Sequence, residues 1–167
     1  MTIAAFDHLN NEEKKELLHK CCGSDQWVNN MLALVPYEDL VDVLEDAEQA
    51  WYNCDESGWL QAFDHHPKIG DITSLMTKFA STADLASNEQ AGVSSANDET
   101  LIKLAELNNQ YEKKNGFIFI VCATGKSAQE MLAEIKKRIN NNRETELETA
   151  AEEQNKITKL RLEKLFI

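Results

Sequence analysis

The apolar residues of this chain recur at three- and four-residue steps, and few residues interrupt the pattern. The 167 residues include two prolines and six glycines, so most of the chain can form helices without a break. The pattern is clear between residues 37 and 51, where the periodic residues are Tyr37, Leu40, Val41, Leu44, Ala47 and Trp51. Such spacing predicts a helix with one buried face. We therefore predict an all-α fold.

Residues suited to N-terminal capping divide the chain into consecutive helices, because a short polar side chain can bond the first unpaired backbone N–H groups. These residues are Asn10 or Asn11, Ser24, Asp98 and Ser127. A short helix is also predicted over Ser57 to Phe63, and a last helix from about Glu144 towards the C-terminus. Gly116 predicts the end of the helix that begins near Asp98.

One run departs from the helical pattern, the sequence FIFIVCA from Phe117 to Ala123. Its β-branched and aromatic residues favour an extended backbone. A lone strand has no partner for its backbone groups, so a buried extended segment is predicted rather than a sheet. The length suits one domain. The sequence thus predicts a single compact multi-helix domain over 1–167, with one short extended segment near 117–123.

Charge and cysteine usage exclude several classes of partner. The formal charge is −12 at pH 7, which argues against nucleic-acid binding and against an anionic membrane surface. No apolar run reaches the length of a membrane span, and no secretion signal is evident. The four cysteines form no C-x-x-C pair, so we expect reduced thiols and a cytoplasmic protein.

The stretch HHPKIGD places two of the four histidines, His65 and His66, directly before Pro67. Proline and glycine here break regular structure, and a histidine held at such a break suits acid–base chemistry. It is also a common turn residue. A metal site is not expected, because adjacent histidines point in different directions and the chain has no His-x-x-x-His spacing.

An arginine interrupts the apolar stripe of the last predicted helix. On a helical wheel Arg161 falls among the apolar residues Leu147, Ala150, Ala151, Ile157 and Leu165. Burying a guanidinium without a partner is costly, so it needs a carboxylate, backbone carbonyls or a bound anion. A structural ion pair, a side chain that reaches along the stripe to solvent, and an anion site all remain open.

Four blocks of this sequence together resemble the OHCU decarboxylase family, whose members act on 2-oxo-4-hydroxy-4-carboxy-5-ureidoimidazoline (OHCU) in urate breakdown. The first block matches the family's His-Pro-x-x-Gly signature, and the blocks follow one another at consistent spacing over almost the whole chain. They are His66-Pro67-Lys68-Ile69-Gly70-Asp71, Glu89-Gln90-Ala91-Gly92, LAELNNQYEKKNGFIFIVCA from Leu104 to Ala123, and KITKLRLEKL from Lys156 to Leu165.

The resemblance implies an all-helical homodimer that converts OHCU to (S)-allantoin with no metal and no organic cofactor. It implies three catalytic residues, His66, Glu89 and Arg161, of which Glu89 and Arg161 also bind substrate. The further substrate contacts that it implies are Pro67, Ser87, Gln90, Phe119, Ile120, Val121, Cys122 and Ala123. One position departs from the family, which often has serine three residues before the glutamate; this chain has Ala86 there, followed by Ser87.

Other functions remain compatible with the same residues. A helical interaction domain without catalysis would use His66, Glu89 and Arg161 as structural polar groups. A hydrolase would act instead on a related ureide or on 5-hydroxyisourate. A metal-dependent hydrolase would lose its activity to a chelator.

Overall fold

The computed structural model describes residues 1–66 and 98–167. Within these two ranges the chain forms eight helices and no strand, which confirms the predicted all-α fold. The helices are α1 (Ile3–Asp7), α2 (Asn11–Cys21), α3 (Asp25–Leu32), α4 (Leu40–Tyr52), α5 (Glu56–Asp64), α6 (Asp98–Asn115), α7 (Ala128–Arg138) and α8 (Arg143–Leu165). None of these helices is long and apolar enough to cross a membrane.

The predicted capping residues stand where the helices start. The side chains of Asn10, Ser24 and Ser127 each accept a hydrogen bond from the backbone N–H three residues later. Asn10 is therefore the cap of α2, rather than Asn11. The helix α6 begins at Asp98 and ends before Gly116, whose φ of 79° lies in the left-handed region that glycine tolerates.

The predicted apolar stripe between residues 37 and 51 is partly wrong. The helix α4 is capped by Asp39, so Tyr37 precedes it, although the Tyr37 side chain is buried. Val41 was expected to be buried and is 62% exposed. Two residues turn a helix by about 200°, so Val41 faces away from Val43. The buried face consists of Val43, Ala47, Ala50 and Trp51.

The chain divides into two compact units, of which the first comprises residues 1–66 and 150–167. Its core contains Phe6, Leu18, Trp27, Met31, Trp51, Phe63 and Leu162. The two buried indoles satisfy their N–H groups on backbone carbonyls: Trp27 Nε1 donates to Ala47 at 3.0 Å, and Trp51 Nε1 donates to Ala151 at 2.9 Å. The second bond ties the C-terminal part of α8 to α4.

The second unit comprises residues 67–149, of which 98–149 are described. Helices α6 and α7 pack against each other here. Between them runs the segment 117–123, which is neither helix nor strand and which buries Phe117, Phe119, Ile120 and Val121. The predicted buried extended segment is confirmed. That 1–167 form one domain stays a prediction.

Candidate active site

His66 lies just beyond the last turn of α5. The backbone N–H of His66 donates to the Phe63 carbonyl at 3.1 Å, and that of His65 donates to the Ala62 carbonyl at 3.3 Å. Ala62 and Phe63 are almost completely buried, so they anchor the turn in the core of the first unit. The His66 side chain is half-buried. The position of the His66 side chain therefore depends on the packing of the last turn of α5.

The ring of His66 bonds a buried amide on α8. His66 Nε2 lies 2.5 Å from Gln154 Oε1. Gln154 is fully buried, and its Nε2 donates to the Thr158 hydroxyl at 3.1 Å. Thr158 is 2% exposed, and its hydroxyl offsets part of the rise that burial causes in the pKa of the Cys22 thiol. The histidine is thus the outer end of a row of hydrogen-bonded polar side chains.

Arg161 lies seven residues after Gln154 on the same helix, which places the two side chains on one face because seven residues make almost two full turns. Arg161 is half-buried, and its Nη1 donates to the Cys21 carbonyl at 3.1 Å. No acidic side chain in the described ranges forms an ion pair with it. Among residues 1–66 and 98–167, the one hydrogen bond of its guanidinium therefore goes to a backbone carbonyl and not to a carboxylate.

A cavity of about 440 Å³ opens beside Arg161, which is within the usual size range for small-ligand sites. It is lined by Glu16, His19, Lys20, Gly23, Ala62, His65 and Arg161. Lys20 is paired with the single carboxylate of the lining, Glu16, at 2.8 Å, and His19 bonds Asp25 at 2.7 Å. Arg161 is the cation of the lining that has no acidic partner in the described ranges, and a guanidinium so placed suits an anionic ligand.

His65 reaches this cavity through an unusually close backbone approach. A Cβ atom added to Gly23 would lie 2.3 Å from His65 Cγ and 2.5 Å from His65 Cβ. Gly23 thus allows the junction between α2 and α3 to contact the turn after α5. His65 Nδ1 bonds the Gln61 carbonyl at 3.1 Å, and its ring centre lies 5.3 Å from that of His19. The resemblance assigns His65 no role, yet it lines the cavity.

The cysteines of this region are inert packing groups. Burial raises the pKa of the Cys21 thiol to about 11 and that of the Cys22 thiol to about 12. Burial also raises the pKa of Cys54 to about 11. All four cysteines are free thiols. The three raised pKa values argue against a cysteine nucleophile.

The predicted substrate segment Phe119 to Ala123 lies in the second unit, where Arg138 fixes it. Arg138 Nη1 donates to the Ile120 carbonyl at 2.7 Å, and the guanidinium carbon lies 4.5 Å from the centre of the Phe119 ring. The Ala123 carbonyl accepts from the Lys126 N–H at 3.1 Å. Two of the carbonyls in the segment are therefore already engaged within the protein. Cys122 and Ala123 are half-buried.

Four of the predicted site residues lie outside the described residues, namely Pro67, Ser87, Glu89 and Gln90. The structure places His66 and Arg161 in the first unit and relates both to one face of α8. Sequence reasoning missed Gln154 and Arg138. The signal was available in both cases, because Gln154 lies seven residues from both Leu147 and Arg161, and Arg138 continues the buried stripe Ala128, Met131 and Ile135 of α7.

Comparison with known proteins gives consistent matches. A family model described as OHCU decarboxylase matches residues 7–163. The uric acid degradation bifunctional protein TTL of Arabidopsis thaliana is 38% identical over 147 residues, which cover 87% of this chain and 45% of that protein. The 2-oxo-4-hydroxy-4-carboxy-5-ureidoimidazoline decarboxylase of Haloferax volcanii is 27% identical over 167 residues, with 99% and 96% covered.

A solved structure shows the same fold. The crystal structure of OHCU decarboxylase in the presence of (S)-allantoin superposes with a TM-score of 0.72 at 37% identity, covering 95% of this chain and 99% of that one. This chain therefore spans nearly the full length of the crystallised protein, but less than half the length of the plant relative.

Proposed function

This chain belongs to the OHCU decarboxylase family, and we propose that it decarboxylates OHCU to (S)-allantoin in urate degradation, without a cofactor. The observation that carries the proposal is the arrangement on α8. Gln154, which holds the ring of His66, and Arg161, which has no acidic partner in the described ranges, lie on one face of this helix. The helix α8 thus positions both the acid–base group, His66, and the anion-binding group, Arg161.

The substrate supplies its own electron sink. OHCU carries a hydroxyl and a carboxylate on C4, and C5 is an imine carbon. When the bond between C4 and the carboxylate breaks, carbon dioxide leaves and the electron pair forms a C4=C5 bond as the imine nitrogen takes a proton. The resulting enol becomes allantoin when C5 takes a proton and the C4 hydroxyl gives one up. The protein must orient the anion and deliver the C5 proton to one face.

Arg161 is the group that we propose to hold the substrate anion. Its planar guanidinium can bond a carboxylate through two parallel N–H groups. Its Nη1 donates to the Cys21 carbonyl. This bond fixes the guanidinium and so orients its remaining N–H groups. Arg161 itself supplies the local positive charge, because Lys20, the other cation of the neighbouring cavity, is paired with Glu16 at 2.8 Å.

His66 is the proton donor in this proposal. Its turn follows the buried residues Ala62 and Phe63, so the ring is held in place before substrate arrives. From the family resemblance we assign Glu89 as the carboxylate that favours the charged imidazole. Pro67, Ser87 and Gln90 are assigned as substrate contacts on the same basis. With two carbonyls of the segment Phe119 to Ala123 engaged, we expect the backbone N–H groups there to contact the substrate.

We also propose that the protein is a cytoplasmic homodimer, as the family resemblance implies. The acidic composition, with a formal charge of −12, supports an aqueous compartment without nucleic-acid partners. Light scattering coupled to size-exclusion chromatography measures the molar mass directly. A mass of one chain across the working concentration range would contradict the homodimer.

The activity is tested with freshly prepared OHCU, by following carbon dioxide release and the circular dichroism of the product. Decarboxylation to (S)-allantoin gives both signals together. Hydrolysis of a ureido group releases ammonia together with carbon dioxide and does not give the allantoin spectrum, and a metal-dependent enzyme loses its rate to a chelator. A rate equal to that of buffer alone would favour the non-catalytic interaction domain.

The role of His66 is tested with His66→Ala. We expect kcat to fall by about a hundredfold to ten-thousandfold, the usual contribution of a positioned acid–base group, and the remaining product to be racemic. His8→Ala is the matched control, because His8 is exposed and bonds only the carbonyl of Ala4 in its own helix. If His66→Ala makes optically active allantoin at the parent rate, His66 is not the proton donor.

A further inference from the structure

We propose that Gln154 is a positioning residue that fixes His66 as the tautomer with its proton on Nε2, so that the proton exchanged with the substrate is carried on Nδ1. The inference rests on the proposed function for its catalytic part. Its structural part, the tautomer of a named histidine, can be measured whether or not the chain decarboxylates OHCU.

The direction of the hydrogen bond follows from the groups behind Gln154. A glutamine amide has one acceptor oxygen and one donor nitrogen, so bonding at one end determines what the other end can do. Gln154 Nε2 donates to the Thr158 hydroxyl at 3.1 Å. The amide oxygen therefore faces His66 Nε2, at 2.5 Å. An oxygen at this position accepts a proton from the ring and has none to give.

Thr158 sets the orientation of the amide because its hydroxyl oxygen accepts from Gln154 Nε2. The Thr158 hydroxyl also offsets part of the rise that burial causes in the pKa of the Cys22 thiol, as expected when the hydroxyl proton points towards that sulfur. The two hydrogen bonds then point inward, from His66 to Gln154 and from Gln154 to Thr158. A reversed amide would present an N–H to the ring and would require the proton on Nδ1.

Burial makes this orientation costly to change. Gln154 is fully buried, Thr158 is 2% exposed and Cys22 is fully buried, so water cannot replace a lost partner. A buried polar group without a partner is strongly disfavoured. The amide is thus held in one orientation while the histidine gains and loses its proton.

The consequence for catalysis is a defined chemical state of the ring. A histidine's tautomer is set by the bond that its other nitrogen makes. With Nε2–H bonded to Gln154, the neutral ring accepts a proton at Nδ1, and the charged ring donates that proton to C5 of the substrate enol. After donation the ring returns to the same Nε2–H tautomer. Gln154 also favours the charged ring, since its oxygen accepts from the imidazolium.

The tautomer is measured by long-range ¹H–¹⁵N correlation spectroscopy of protein labelled at its four histidines. His66 is assigned by the signals that disappear in His66→Ala. Above the pKa of His66 we expect its Nε2 to be protonated and its Nδ1 unprotonated. A parent spectrum with the proton on Nδ1 would overturn the proposal outright.

Three substitutions distinguish the effect of the Gln154 acceptor oxygen from the effect of its packing. Gln154→Leu keeps the size and removes the acceptor, so we expect a measurable Nδ1–H population and a kcat about tenfold lower, the usual effect of losing such a bond, with KM little changed. Gln154→Glu keeps an acceptor oxygen and should retain the Nε2–H tautomer and most of kcat. Thr158→Val removes the group that orients the amide and should resemble Gln154→Leu.

Asn155→Ala is the matched control, because Asn155 is a buried amide on the same helix, 6% exposed, whose side chain leaves the helix about 100° away from that of Gln154. It should lower thermal stability without changing the His66 spectrum or kcat. If Gln154→Leu has the parent tautomer and the parent kcat, Gln154 does not position His66. A parent protein with the expected tautomer but no decarboxylation would refute the proposed function and leave the tautomer assignment supported.

Discussion

Arg138 and Arg161 are kept inside the protein by different means. Arg138 is 5% exposed and forms an ion pair at 2.9 Å with Glu146, which is fully buried. Arg161 is half-buried, faces a cavity and bonds the Cys21 carbonyl. A buried cation with its counter-ion is a structural group, whereas a cation that lines a cavity, with no counter-ion in the part of the chain that the structure describes, suits an anionic ligand.

This difference predicts opposite phenotypes, and Arg161 should affect binding. For Arg161→Gln we expect kcat/KM to fall by about tenfold to a hundredfold, because one charge-assisted contact to the substrate is lost. Arg161→Lys should recover only part of this, since lysine keeps the charge but not the two parallel N–H groups. Initial rates of allantoin formation measure both effects. Unchanged substrate affinity in a folded Arg161→Gln protein would refute the anion-holding role.

Arg138 should instead affect stability. Arg138→Met removes the partner of the buried Glu146 carboxylate, and we expect a loss of about 3–5 kcal/mol in the free energy of unfolding. Adding Glu146→Gln removes the stranded charge and should restore part of that loss. Urea unfolding followed by circular dichroism gives both values. Equal stability of the single and double variants would show that the ion pair is not coupled.

At the scale of elements, α5 determines where His66 lies, and its first turn is a carboxylate cap. The hydroxyl of Ser57, the amide of Gln26 and the N–H of Gly58 all bond Asp55, and they lower its pKa to about 2. A carboxyl that is more acidic in the folded protein than its ordinary value of about 3.9 stabilises the fold above that pH. This contribution is lost as the pH falls towards 2.

Asp55→Asn should therefore change the acid response of the protein. Asparagine keeps a capping oxygen but has no carboxyl to titrate. We expect the thermal midpoint of the parent to fall more steeply than that of Asp55→Asn between about pH 4 and about pH 2. Above pH 5 the two midpoints should run parallel. Identical slopes across the acid range would mean that this cap does not contribute to the pH dependence of folding.

The junction between α2 and α3 positions the other end of α5. Because a Cβ at Gly23 would lie 2.3 Å from His65 Cγ, we expect Gly23→Ala to cost about 1–3 kcal/mol through overpacking. It should also lower kcat, since the turn that carries His66 must move. Adding His65→Gly removes the Cβ and Cγ atoms that the new methyl group would meet, and it should restore part of the stability. Gly116→Ala is a control with strained φ but no atom within 4 Å, and it should leave kcat unchanged.

At the scale of the whole molecule, the sequence predicted where helices begin and end better than it predicted which face of a helix packs against the core. Capping at Asn10, Ser24 and Ser127 and the end of α6 at Gly116 depend on neighbouring residues and were correct. The face that α4 buries depends on which elements it meets, and Val41 was assigned to the wrong side. Periodicity gives the angle between residues but not the direction of the core.

The candidate site shows the same division. The helical wheel placed Arg161 on the apolar stripe and left its direction open, and the structure finds it half-buried beside a cavity. The wheel could not identify Gln154 as the partner of His66, because that contact joins residues 88 positions apart. The stripe of α7 could have placed Arg138 on the buried face, but it could not identify the partners of Arg138, which are Glu146 and the Ile120 carbonyl. Long-range polar contacts require the fold itself.

The seven-residue spacing on α8 has a consequence for how this sequence can change. Gln154 and Arg161 share a face only while the number of residues between them is preserved, since each residue turns the helix by about 100°. Substitutions at the intervening positions that leave the helix intact keep this angle, but one inserted or deleted residue rotates Arg161 away from the face that holds His66. The number of residues in α8 between Gln154 and Arg161, more than either side chain alone, keeps the proposed proton donor and the proposed anion site in register.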